Sequence, residues 1–205
     1  MTDFRRRPIV TVLIWIVAPI AVIAVLRPWT VRPLEGQKPA VFDTGRFVSS
    51  AWPRLVRDAT LTAADVSDIV PPAGASPSRA RFVKGTGVVT AVDRRSRVGV
   101  MLVRVTGPSP VTVAIQIGPV IRGTALRDAS GFIHFSDFTN QSEYAAAANA
   151  LNESALRVVI APFQAEALQG RTVAVVGAVG RSAPRVDGAI EIVPVQLDLV
   201  GDRQQ

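Results

Sequence analysis

The stretch RFVKGTGVVTAVDRRSRVGVMLVRVTGPSPVTVAIQI, residues 81–117, decides the fold. It contains three valine-rich runs, Phe82–Val92, Val98–Thr106 and Val111–Ile117, separated by Asp93–Arg97 and Gly107–Pro110. Runs rich in β-branched residues and bounded by turn residues read as strands. In the third run Val111, Val113, Ile115 and Ile117 alternate, which puts them on one face of a pleated strand. The two turns are short, so the three strands form an antiparallel meander. Gly85 and Gly87 interrupt the first run and suit a bend or a bulge.

Downstream of this meander runs a long connection, Gly118–Asp137. Tyr144, Ala148, Leu151, Ala155, Leu156 and Val159 then form a helical stripe, which predicts a helix from about Gln141 to Ile160, ended by Pro162. The small residues Ala145–Ala148 in it suit close packing on the sheet. Arg171–Val179 is a fourth strand after a turn at Gly170, Arg181–Gly188 is a turn, and Ala189–Val200 is a fifth strand. Three strands, a helix and two strands is the order of an OB-fold, a five-stranded Greek-key barrel. A split α+β sandwich could share it. The expected class is therefore mainly β with helices (α+β), as an OB-fold-like barrel with a helix between its third and fourth strands.

Upstream, Phe47, Ala51, Leu55 and Ala59 recur at four-residue spacing and predict a helix over Asp43–Asp58, capped by Asp43 or Thr44. Pro53 is expected to kink or split it. Leu61–Val70 is a second short helix candidate, capped by Thr60 or Thr62, and PPAGASPS at 71–78 is a loop. Pro28–Pro39 carries three prolines and reads as a linker. Ile9–Leu26 is an uncharged run of 18 residues. As a helix it spans about 27 Å, close to the thickness of a bilayer's hydrocarbon core. Arg5, Arg6 and Arg7 precede it, which leaves the N-terminus in the cytoplasm and sends the rest across. A signal peptide cleaved near Val22-Ile23-Ala24 is the competing reading, against which the length of the run counts. The organisation expected is a cytoplasmic stub and transmembrane anchor (1–28), a linker (29–40), a helical lead-in (41–78), the β domain (79–200) and a tail (201–205).

Composition narrows the function classes. The 205 residues contain no cysteine, which excludes disulfides, thiolate metal sites and lipid attachment through a cysteine of this chain. The net charge of +7 divides into +4 for residues 1–32 and +3 for the remainder. A domain so nearly balanced is not the footprint of a nucleic-acid binder.

Three segments carry a family resemblance: GTGVVTAVDRRSRVGVMLV, then IQIGPVIRGTALRDASGFIHFSDFTNQSEYAAAANALNESAL, then LQGRTVAVVGA, all between Gly85 and Gly177. They resemble the bacterial predicted periplasmic lipoproteins known as domain of unknown function 2291. The upstream FDTGRFVSSAW is similar to that family's opening helix. The resemblance implies an exported, membrane-attached protein without established activity, whose genes often accompany sugar-import ABC transporters of the ribose type. Many members look cysteine-anchored; this chain departs from them, with no cysteine and a full-length apolar segment.

The connection Gly118–Asn140 and its flanks gather the candidate ligand or partner residues: Gln116, Arg122, Thr124, Arg127, Asp128, Asn140 and Gln141, with Asp137 nearby. Amides, a hydroxyl and guanidinium–carboxylate pairs are the groups that fix a polar ligand such as a sugar. They equally well satisfy the backbone of a long, partly buried loop. His134 is the only histidine; its neighbours Ser136 and Asp137 on one extended segment cannot converge as a triad, and no G-x-S-x-G elbow is present. Arg94, Arg95 and Arg97 lie in the first hairpin turn, a loop that contacts ligands in some OB-folds. No catalytic signature, cofactor or metal site is expected. The reading is a non-enzymatic protein of the bacterial inner membrane, its main domain periplasmic, serving as an accessory to sugar ABC import by binding a small polar ligand or a transporter component. The alternative is a structural envelope protein that binds cell-wall glycans or other proteins.

Overall fold

The computed structural model describes residues 42–69, 77–107, 110–181, 185–186 and 188–201. The chain from Phe42 onward forms one unit. It begins with α1, Thr44–Thr62, where the Asp43 carboxylate accepts the Arg46 N–H and so caps the first turn. Pro53 lies inside this helix without splitting it. Both Pro53 and Ser49, whose carbonyl loses its i+4 donor, face solvent, so water can satisfy the freed oxygen. The expected helix over Leu61–Val70 does not form as one element. Thr60 and Thr62 instead donate back to the carbonyls of Val56 and Asp58 and extend α1. Ala63 is extended, β1 (Ala64–Asp65) pairs in parallel with Val83 and Lys84, and α2 is a single turn, Val66–Ile69. The Asp65 carboxylate accepts from the Ser67 N–H and hydroxyl and holds that turn, which also lowers its pKa.

The five long strands are β2 (Arg81–Asp93), β3 (Val100–Val105), β4 (Val111–Gln116), β5 (Thr172–Val179) and β7 (Ala189–Leu199), with a short β6 (Arg185–Val186) paired to β7. Their order is β2-β3-β4-β7-β5, and β5 pairs back to β2, so the sheet closes into a barrel. All pairings among the five are antiparallel except β4–β7, which is parallel. Closure leaves the long strands without a free edge. The strand β2 serves both halves: Arg81–Val88 pairs with β5 and Gly87–Asp93 with β3. The handover falls at Gly87, where a Cβ would collide with the Arg104 carbonyl. The bulge itself lies beyond the glycines, between Val89 and Ala91.

The barrel interior is aliphatic, with Val83, Val89, Met101, Val103, Val113, Ile115 and Ile192 among its fully buried side chains. Each contributes about 1.5–3 kcal/mol by leaving water. Between β4 and β5 the chain forms α3 (Ala125–Ala129), a 3-10 turn (Phe135–Asp137) and α4 (Gln141–Ser154), whose last stretch, Ala155–Ile160, widens to a π-helix. The π segment packs on β7, whereas α4 packs on α1. Ala147 and Ala148 are buried. A second core lies under α1 and α4, where Leu55, Leu126 and Leu151 meet Phe82 and Val193. Among the described residues no helix is long and apolar enough to cross a membrane. The expected span Ile9–Leu26 and its linker lie outside the described residues.

Candidate functional site

The last residue of β4, Gln116, is 3% exposed, although the alternation of this strand would turn it away from the barrel interior. The parallel neighbour explains this. Strand β7 lies beside β4 with Ala114 opposite Glu191, and the β6–β7 hairpin covers Val100, Ala114 and Ala189 on the outer face. Gln116 therefore stands over a buried carboxylate. Its Nε2 donates to Glu191 Oε2 at 3.2 Å, and its Oε1 accepts the Arg122 N–H at 2.7 Å. The Arg122 guanidinium donates to Glu191 Oε1, also at 3.2 Å. The pair is asymmetric in burial: the Glu191 side chain is 4% exposed and that of Arg122 58%. An amide and a guanidinium thus hold a carboxylate in place, with the guanidinium reaching out to water.

Arg122 and Glu191 border an open cleft of about 680 Å³ lined also by Asp93, Ser96, Arg97, Val98, Val100, Val120 and Val186, with Gln116 behind them. The volume is on the scale of small-molecule sites. Its walls are the β2–β3 hairpin turn and the β6–β7 hairpin, the two loops that border ligands on OB-fold barrels. The turn is well fixed. Asp93 accepts from the Arg95 N–H and is bridged by the Arg95 guanidinium at 2.7 Å, which holds its carboxyl down at about 2. Arg94 pairs with Glu166, and the Val120 N–H donates to the Arg97 carbonyl, tying the connection after β4 to the turn. The Arg97 side chain is exposed and has no ion pair or hydrogen bond among the described residues.

The other expected site residues go elsewhere. The Arg127 guanidinium sits over the Tyr144 ring at 3.6 Å, donates to the Tyr144 carbonyl and bridges Asp128, whose second oxygen accepts from the Thr124 hydroxyl. With its side chain 11% exposed, Arg127 spends its donors inside the protein. Thr124, Arg127 and Asp128 thus form a network of their own, separate in bonding from Gln116 and Arg122. Asn140 caps α4 by accepting the Glu143 N–H, while Glu143 accepts the Thr139 N–H. Gln141 is the exposed first residue of that helix. Asp137 accepts from the His134 main-chain N–H. Asn152 is buried on α4, donating to the Gly123 carbonyl, with its Oδ1 unpartnered among the described residues.

Glu191 and Arg97, both on the cleft, lie outside the candidate ligand residues expected from sequence. Glu191 is the only charge in AIEIVPV, 189–195, and a lone acid in an apolar strand is the signal that could have found it. Arg97 is visible in the first hairpin turn, where nothing in the sequence ties it to Gln116 and Arg122. Among the described residues, no cluster of three or more metal-ligating side chains occurs.

Comparison with known proteins gives the family and the barrel fold. Residues 71–198 match the family model of predicted periplasmic lipoproteins, DUF2291. A crystal structure of an OB-fold protein from Thermotoga maritima superimposes with a TM-score of 0.58 at 18% identity, covering 78% of this chain and 99% of that one. It shares the barrel fold. An OBody bound to hen egg-white lysozyme superimposes with a TM-score of 0.33 at 17% identity, covering 68% of this chain and 94% of that one. No curated protein matches.

Proposed function

The chain belongs to the DUF2291 family of predicted periplasmic lipoproteins, and from that premise we propose that it is a membrane-tethered, non-enzymatic module that binds a small polyhydroxylated ligand in the barrel-end cleft, as an accessory to sugar ABC import. The observation that carries the reading is the buried Glu191 carboxylate, fixed by Gln116 and Arg122 on the border of an open cleft. The exposed Arg122 and Arg97 guanidinium groups on the cleft supply the forked donors that sugar hydroxyls need, Asp93 and Ser96 add acceptors, and Gln116 and Glu191 hold Arg122 in place from below. Val98, Val100, Val120 and Val186 supply apolar walls for the carbon face of such a ligand. The 205 residues have no cysteine to carry the family's lipid, so the tether falls to Ile9–Leu26. Tethering raises the effective concentration at the membrane, so a weak contact with a transporter suffices.

The test is in-cell crosslinking of the full chain with a photoreactive side chain at Val120, beside the cleft, against one at Leu61 on the far end of α1. The proposal expects the Val120 probe alone to capture the binding protein or permease of a sugar importer. Capture of wall enzymes or wall fragments would replace it with an envelope role. Identical products from both positions would remove the cleft from the account.

A further inference from the structure

The chain is poor in aromatic residues, at 6%, yet it gathers them in one place. Of its eight phenylalanines, Phe42, Phe47, Phe132, Phe135 and Phe138 meet at one corner with the only tyrosine, Tyr144. Ring centroids lie 5.3–5.8 Å apart through Phe42–Phe47–Phe138–Tyr144–Phe135. The rings are half-buried, except that Phe135 is 54% exposed on its 3-10 turn. Phe42, Phe47, Phe132 and Phe138 border a recess of about 340 Å³ with Arg54 and Asp137; the Arg54 guanidinium covers the Phe132 ring at 4.1 Å and pairs with Asp58 at 3.6 Å. Packing α1 against α4 accounts for the buried sides of Phe47, Phe138 and Tyr144. It does not account for Phe135, nor for a recess walled by rings and left open.

The position of this corner along the chain identifies what meets it. Phe42, one of its rings, is where the described domain begins, and the apolar segment ends at Leu26, sixteen residues earlier. Sixteen residues reach at most about 55 Å when fully extended. The aromatic corner therefore contains the part of the domain nearest along the chain to the segment assigned to the bilayer. Half-exposed aromatic rings with arginine beside them have the composition of the membrane–water interface, where a ring sits among headgroups and a guanidinium binds phosphate. We propose that this corner docks on the phospholipid surface, with Phe135 as its leading side chain, and so fixes how the barrel stands on the membrane. The inference rests on the tether assigned above.

Because the chain has no cysteine, one introduced thiol carries a unique label. Ser136→Cys, beside Phe135 and exposed, and Leu61→Cys, 77% exposed at the other end of α1, would each be labelled with an environment-sensitive dye. The full chain would be reconstituted into vesicles of phosphatidylethanolamine and phosphatidylglycerol containing brominated lipid. Flotation with the vesicles reports the tether separately from the label. Docking predicts at least about twofold stronger bromine quenching at position 136 than at position 61, abolished by adding Phe135→Asp to the same labelled chain. Equal quenching at the two positions in a chain that floats would overturn the docking and spare the tether. A chain that does not float would overturn both. A dye response to soluble wall glycan without bromine quenching would reassign the corner to glycan and overturn lipid docking.

Discussion

Arg122 and Arg127 stand five residues apart on one connection, and the fold uses them in opposite ways. Arg127 is closed in: Asp128, the Tyr144 ring and the Tyr144 carbonyl take up its guanidinium, and Thr124 takes up the remaining carboxylate oxygen. Arg122 is open: it touches a buried carboxylate at one end and water at the other. A saturated network of this kind ties a loop to a helix and offers a ligand nothing. An open one, with its acid already desolvated and held, leaves guanidinium donors to spare at little further cost in ordering. The lesson is that residue type alone does not mark a site; unspent hydrogen-bonding capacity beside a cavity does.

The contrast can be broken from the closed side first. Arg127→Ala removes an ion pair, a cation–π contact and a carbonyl hydrogen bond together, and should cost about 2–4 kcal/mol, read as a loss of Tm in thermal unfolding. Gln116→Leu should cost about 1–3 kcal/mol in denaturant titration, because the Arg122 N–H and the Glu191 carboxylate both lose a partner. Asn140→Ala removes the cap of α4 and should cost about 1 kcal/mol, with hydrogen exchange rising in the first turn of that helix and not in the barrel. The smallest effect sharpens the open side. Asp93 is held near 2 in the fold against 3.8 for the free side chain, because Arg95 bonds its charged form. Its contribution to stability is therefore fully present above about pH 4 and is lost as the pH falls through about 2. Asp93→Asn should remove that portion of the acid sensitivity, and a carboxyl carbon titration by NMR should place the midpoint near 2.

The barrel was legible because its evidence is local. The alternation in Val111–Ile117 and the order of five apolar runs around one helix need no knowledge of the third dimension, and Asp43 announces the start of α1 three residues before the N–H it caps. Of the two outcomes expected at Pro53, the split does not occur, because the carbonyl it frees faces water, which the sequence does not state. Thr60 and Thr62 misled because a threonine can cap the next helix or bond back into the last one. The candidate site was half legible. Gln116 and Arg122 lie six residues apart and stand out together in the sequence; Glu191 is 75 residues from Gln116 and joins it only through the parallel β4–β7 pairing, which no local period encodes. The aromatic corner escaped for the same reason, since its rings come from the start of α1, the connection and α4.

The central claim, an open network that binds and a closed one that only supports, is tested most directly by calorimetric titration of pentoses and hexoses into the full chain. Three variants would be compared: Arg97→Ala, Arg122→Ala and Arg127→Ala, each also followed by thermal unfolding. The account predicts that a sugar binds the unaltered protein and that Arg122→Ala weakens it at least about tenfold, or about 1.4 kcal/mol. It predicts the same direction for Arg97→Ala with Tm unchanged. Arg127→Ala should lower Tm while the folded protein keeps its affinity. Undiminished binding by the Arg122→Ala protein, or affinity that falls only in step with stability across all three, would contradict it.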